Sequence, residues 1–174
     1  MTLFVVDVES DGPCPALYSM VSFGCVRVDR DMKTMFYGLT KPISDKWVPE
    51  ALAISDTSRE THLTYPDPKE TMFKFSQWVK VNTIGRPIFV SDNNGFDWQF
   101  INYYFHAFAG DNPFGFSSRR IGDVYSGLVK DMYAANKWKS LRKTKHTHNP
   151  CDDALGNVEA LITMLDKHNV KVPT

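Results

Sequence analysis

Five side chains far apart in the chain carry the chemistry: Asp7, Glu9, Asp97, His148 and Asp153. Asp7 and Glu9 close the apolar run Phe-Val-Val-Asp-Val-Glu. Asp97 follows a second apolar run and a turn, Ile-Phe-Val-Ser-Asp-Asn-Asn-Gly-Phe-Asp. His148 and Asp153 bracket the segment His-Asn-Pro-Cys-Asp-Asp-Ala. Four carboxylates brought together could hold divalent cations, and an imidazole beside them could take a proton from water. Such a set is suited to phosphodiester hydrolysis.

The elements that must position them are readable. Residues 3–9 have the composition of a buried strand ending in acids. Alternation along a strand puts Asp7 and Glu9 on one face, where two carboxylates repel and resist burial. A solvated strand end is the plainer reading of such a D-x-E triplet in isolation. Asn149 as N-cap and Pro150 behind it predict a helix from about 150 to 167, with Ala154, Leu155, Val158, Leu161, Ile162 and Leu165 at helical spacing. Asp152 and Asp153 on its first turns complement the helix dipole, which does not account for His148. Residues 87–91 read as a short strand and 96–109 as a helix, with Asp97 at the junction. Ligands of open α/β sheets bind at the carboxyl ends of strands, so Asp7, Glu9 and Asp97 are expected along one sheet edge.

In order and spacing these segments resemble the three motifs of the DEDDh exonucleases, the superfamily of ribonuclease T, oligoribonuclease and polymerase proofreading subunits. FVVDVES resembles the first; SDNNGFDWQFI, with Asn93, Phe96, Asp97 and Phe100, the second; HNPCDDA, with His148 and Asp153, the third. The position that carries Tyr in the sibling subclass is Asn149. The likeness runs from residue 3 to about 166. Ser10 stands where the family usually has Thr, and Asp92 where it often has His, read here as a surface turn residue or a support behind the ligands, and not as a fifth ligand. The resemblance implies an α/β protein of ribonuclease H-like fold, a mixed five-stranded sheet flanked by helices, with 1–174 as a single exonuclease domain. It further implies two Mg²⁺ or Mn²⁺ ions per site, with Asp7 bridging, Glu9 and Asp153 completing the first ion's ligands and Asp97 serving the second. His148 becomes the general base, and Ser10 and Asn93 hold the terminal nucleotide. The activity so implied is 3′-5′ release of nucleoside 5′-monophosphates from single-stranded or 3′-overhanging nucleic acid. Small size leans slightly to RNA over DNA. A non-catalytic nucleic-acid-binding module on the same fold and a nucleotide phosphohydrolase are the rival classes.

The rest of the chain agrees with a compact enzyme. Its 174 residues are 43% hydrophobic and carry no net charge, enough to bury a core. No apolar run approaches a membrane span, no signal peptide is read at the start, and Cys14, Cys25 and Cys151 lack metal or disulfide spacing. A cytoplasmic, reduced setting is expected. Residues 3–9, 19–29 and 33–40 read as an antiparallel meander, 45–66 as irregular or short helices, 67–81 and 123–135 as helices, and 110–118 as a loop. Residues 119–148 hold eight basic side chains against Asp123 and Asp131. This basic stretch runs into His148, which makes Arg142 and Lys145 candidates for the phosphate backbone. Phe114 and Phe116 are candidates for touching substrate or a second subunit, since the resemblance also allows a homodimer. His62, His106 and His168 are expected at the surface, and His146 is set aside as a neighbour of the catalytic candidate.

Overall fold

A computed structural model describes residues 1–172. Its centre is a mixed five-stranded sheet of order β3-β2-β1-β4-β5. The strands are β1 (Thr2–Ser10), β2 (Met20–Arg27), β3 (Met35–Leu39), β4 (Pro87–Ser91) and β5 (Ser118–Arg120). The expected meander is there: β1 pairs antiparallel with β2 and β2 with β3. β1 pairs parallel with β4, and β4 with β5. No sequence pattern announces β5, because Ser-Arg-Arg has no apolar alternation and is a strand only through its pairing with β4.

The pleat divides β1 between two cores. Phe4, Val6 and Val8 enter one cluster with Phe23, Cys25, Met72, Phe75, Phe89, Phe100 and Tyr104. Of these, Met72 and Phe75 come from α3 (Pro68–Val81), and Phe100 and Tyr104 from α4 (Asn94–Tyr104), on that side of the sheet. Val5 enters the other with Val26, Val90, Trp138, Ala154, Val158 and Leu161, under α6 (Pro150–Lys167). Asp7 and Glu9 are in phase with Val5, so both point to the α6 face.

Three short elements complete the chain: α1 (Pro49–Ile54), α2 (Arg59–His62) and α5 (Ile121–Val129). α5 stops at Lys130, a left-handed C-cap, so the helix expected over 123–135 gives way to short 3₁₀ turns at Met132–Ala134 and Lys137–Leu141. The helix expected over 96–109 is α-helical to Tyr104 and continues as a π turn, Phe105–Ala109. No helix among the described residues is long and apolar enough to cross a membrane.

Two expected surface residues are core. His62 is fully buried, its Nε2 2.9 Å from the Thr40 carbonyl oxygen. Phe114 is 1% exposed and packs edge-on against Phe4, Phe89 and Phe105. Neither can meet a substrate or a second subunit. Phe116, two residues on, is 92% exposed.

Candidate active site

One glycine lets the site form. Asp7 pairs with Gly24 of β2. A Cβ on Gly24 would lie 2.3 Å from the Pro150 carbonyl carbon and 2.5 Å from the Cys151 nitrogen. The bare backbone therefore lets the first turn of α6 rest on the sheet beside Asp7. Asn149 caps that turn as expected, accepting from the Cys151 and Asp152 amides, with Pro150 at the first helical position. Asp153 follows one turn in and is 1% exposed. Oxygens of Asp7, Glu9 and Asp153 consequently lie within 4.8 Å of one another.

Asp97 arrives from the other side of β1. β1 and β4 stay paired only to Val5 and Val90. Beyond that point the Val8 amide donates to Asp97 Oδ1 at 3.2 Å, so the carboxylate takes the place of a ladder partner. Asp97 Oδ2 is buried with no hydrogen-bond partner. A buried carboxylate oxygen with a free lone pair is costly unless something electropositive meets it.

The electrostatics describe a cluster short of positive charge. Burial, then Asp97, Asp153 and Glu9, push the Asp7 carboxyl well above the usual range, with Arg142 opposing. Burial and Asp153 raise Glu9 to about 7. Burial raises Asp97 to about 8, with the nearby Ser91 hydroxyl and the Val8 amide opposing. Desolvated, mutually repelling carboxylates with an unpaired oxygen are a hard donor set, which divalent Mg²⁺ or Mn²⁺ fits.

The third segment folds around Asp153. Its Oδ1 accepts from the Thr147 amide at 3.0 Å and its Oδ2 from the His148 amide at 3.0 Å. His148 sits at φ +61° to make that turn. Its half-exposed ring places Nδ1 3.8 Å from Glu9 Oε1. His146, which its spacing leaves outside the motif, is also present: its Nδ1 lies 2.8 Å from Asp153 Oδ2.

The remaining candidates divide. Lys145 and Asn93 are exposed, and Asn93 makes no side-chain cap bond to its helix. Ser10 is buried and its hydroxyl donates to the Gly12 carbonyl at 2.6 Å, so it holds the loop and is not free for a nucleotide. Arg142, expected as a free surface cation, instead turns inward, its side chain 12% exposed. Its guanidinium lies 5.1 Å from the Trp138 ring centre, donates to Asn157 and stands 3.4 Å from Asp92 Oδ2. Asp92 also pairs with Lys139 at 2.7 Å, so it ties the second motif to the basic segment and is no simple turn residue.

A cleft of about 300 Å³ beside Glu9 escapes the sequence reading, although Phe96 does not. It is walled by Pro13, Val48, Ala51, Ile54 and Phe96. The i, i+3, i+6 spacing of Val48, Ala51 and Ile54 is the available signal in a stretch that reads as irregular. What holds this wall is a buried ion pair, Arg59 Nη1 to Asp11 Oδ2 at 2.9 Å. Arg59 also donates to the Ser44 carbonyl and covers the Trp47 ring at 4.8 Å. The Val48 amide donates to the Asp11 carbonyl.

No family model matches the chain. A 3′-5′ DNA exonuclease, Cap18 of Escherichia coli, is 35% identical over 175 residues, spanning 95% of this chain and 92% of that protein. Solved structures of similar fold include the zinc-bound E. coli ExoI–ssDNA complex, with a TM-score of 0.70 at 18% identity over 95% of this chain. Another is cell-death related nuclease 4, with a TM-score of 0.74 at 16% identity over 98%. A third is a 3′-exonuclease that recognises the histone mRNA stem-loop, with a TM-score of 0.75 at 12% identity over 98%. The chain spans 40%, 65% and 66% of those three structures' lengths.

Proposed function

The chain belongs to the DEDD-type 3′-5′ exonuclease superfamily, and on that premise we propose that it degrades single-stranded DNA, or a DNA 3′ overhang, to nucleoside 5′-monophosphates, with the whole chain acting as one exonuclease domain. The observation that carries the proposal is the convergence of Asp7, Glu9 and Asp153 within 4.8 Å, beside the unpaired Asp97 oxygen and an apolar cleft. Asp7, Glu9, Asp97 and Asp153 would hold Mg²⁺ or Mn²⁺. When bound, such ions supply Lewis-acid activation of water and charge stabilisation at the scissile phosphate.

The chain's own residues do the rest. Asp7 and Glu9 are fixed by the β1 pleat and Asp153 by the helix that Gly24 admits, so ligand geometry is set before substrate arrives. His148, half exposed at the mouth, takes the proton of the attacking water. The terminal base enters the cleft between Ile54 and Phe96. Those walls offer apolar surface and few hydrogen-bonding groups, which favours stacking and burial over readout of base identity. Asn93 and the backbone around Ser10 hold the sugar end, and exposed Lys145 meets the phosphates behind it. Arg142 acts from inside, through Asp92 and Asn157, keeping a positive charge near Asp7.

The sequence leans towards RNA. The named substrate of the 35% identical relative moves the proposal to DNA. Single-stranded DNA and RNA of one sequence, 5′-labelled and incubated with Mg²⁺ or Mn²⁺, test it. A ladder shortening from the 3′ end, faster on DNA, is expected. Faster RNA decay would overturn the choice of sugar, and no shortening of either would overturn the activity.

A further inference from the structure

His146 and His148 stand one residue apart in the loop before α6, each ring about half exposed. Their ring centres are 4.4 Å apart at 65°. His146 Nδ1 touches Asp153 Oδ2, and one ligand atom from each of His146, His148 and Asp153 lies within 4.8 Å of the others. Asp153 accepts the amides of both Thr147 and His148, so the loop holds the two rings beside that carboxylate. Two imidazoles and a carboxylate are a different donor set from the all-oxygen cluster of Asp7, Glu9, Asp97 and Asp153, with which they share Asp153. Mg²⁺ prefers oxygen and keeps its waters, whereas imidazole nitrogen suits zinc. A zinc ion with bonds of about 2.0–2.1 Å would enter by opening the His146–Asp153 contact, and both half-exposed rings can rotate to regroup around it.

We propose that His146, His148 and Asp153 form a second metal site that captures Zn²⁺, and that its occupation switches the nuclease off. Three protein ligands leave the fourth tetrahedral position to water, and the exposed face gives the ion its entry path. Inhibition follows because zinc removes the His148 imidazole from solvent and draws Asp153 out of the oxygen cluster. The zinc site stands on the geometry of three side chains. Only the inhibition rests on the proposed role of His148.

The test uses the full chain in saturating Mg²⁺. Zinc affinity is read by competition with a chromogenic chelator, and geometry by the visible absorption of the Co²⁺ form. Wild type should bind one zinc roughly tenfold or more tightly than His146→Ala and His146→Asn, with a tetrahedral Co²⁺ spectrum that both variants lose. Zinc should inhibit wild type at a concentration lower by the same factor, while both variants keep their Mg²⁺-dependent turnover. His146→Asn retains a polar contact to Asp153, so loss of zinc binding there is loss of a ligand and not loosening of the loop. Equal zinc affinity in wild type and both variants would overturn the site. Zinc binding that needs His146 in a protein inactive on every nucleic acid would uphold the site and count only against the nuclease reading.

Discussion

Gly24→Ala is the smallest change that should dismantle the site from a distance. The new Cβ would sit 2.3 Å from the Pro150 carbonyl carbon and oxygen and 2.5 Å from the Cys151 nitrogen, all backbone atoms. Carbon contacts begin near 3.5 Å, so the first turn of α6 must lift by roughly 1 Å. Overpacking of this kind costs roughly 1–3 kcal/mol, which the fold should survive with a melting temperature lower by about 2–12 °C. Activity should fare worse. Asp153 lies on the lifted turn and Asp7 stays on the sheet, and a displacement of about 1 Å in a catalytic constellation costs on the order of 10²-fold. Turnover of a 5′-labelled single strand should fall to about 1% of wild type, with more Mg²⁺ needed for half-maximal rate. Gly127→Ala is the control: Gly127 is exposed in α5 with nothing within 4 Å of its would-be Cβ. It should keep full activity and gain roughly 0.5–1 kcal/mol. A Gly24→Ala protein that cleaves within twofold of wild type, at the same melting temperature, would refute this account of how α6 reaches Asp7.

The metal-free protein should lose stability as pH rises. A carboxyl whose folded pKa lies above its unfolded value stabilises the fold below the unfolded pKa and stops doing so above the folded one. Glu9, raised from 4.5 to about 7, is worth on the order of 3 kcal/mol across that window. In EDTA the melting temperature should fall between pH 5 and pH 8, Mg²⁺ should restore more at pH 8, and Glu9→Gln should flatten the trend; a rise in EDTA would contradict the burial argument. His148→Ala should slow single-turnover cleavage by roughly 10²–10⁴-fold while oligonucleotide affinity in Ca²⁺ stays near wild type; an unaffected rate would remove His148 as base. Lys145→Glu should weaken binding and reduce the slope of log affinity against log salt by about 0.7 for each phosphate that Lys145 neutralises, whereas Lys33→Glu, in the turn between β2 and β3, should do neither. Equal effects would mean that Lys145 lies off the path.

What can be read from sequence is local, and what cannot is tertiary. β1, the Asn149-Pro150 cap and the second motif each announce themselves within about ten residues. Their order along one chain is what leads to the expectation of one shared site. Arg142 misleads because a basic residue in a basic segment looks solvated. Only the fold shows Trp138, Asp92 and Asn157 closing around it. His62 and Phe114 mislead for the same reason: their burial comes from contacts the local sequence does not show, Thr40 for the first and rings of β1, β4 and the π turn for the second. Gly24 offers a usable clue, a glycine inside a strand, which marks a close backbone approach. His146 falls outside the motif's spacing, and a turn clamped by Asp153 brings it back.

The central claim is that four carboxylates from β1, α4 and α6 act as one metal-dependent centre. Asp97→Asn tests it most directly, because Asp97 is the member that comes from the second motif and its Oδ2 is the buried, unpaired oxygen. The change keeps shape and can still accept from the Val8 amide, so the fold should persist. The measurement is single-turnover cleavage of a 5′-labelled single-stranded oligonucleotide in Mg²⁺, beside wild type and the folded Asp92→Asn protein. The account predicts loss of the 3′-to-5′ ladder by orders of magnitude in Asp97→Asn and a much milder loss in Asp92→Asn. A ladder of near-normal rate from Asp97→Asn would contradict it.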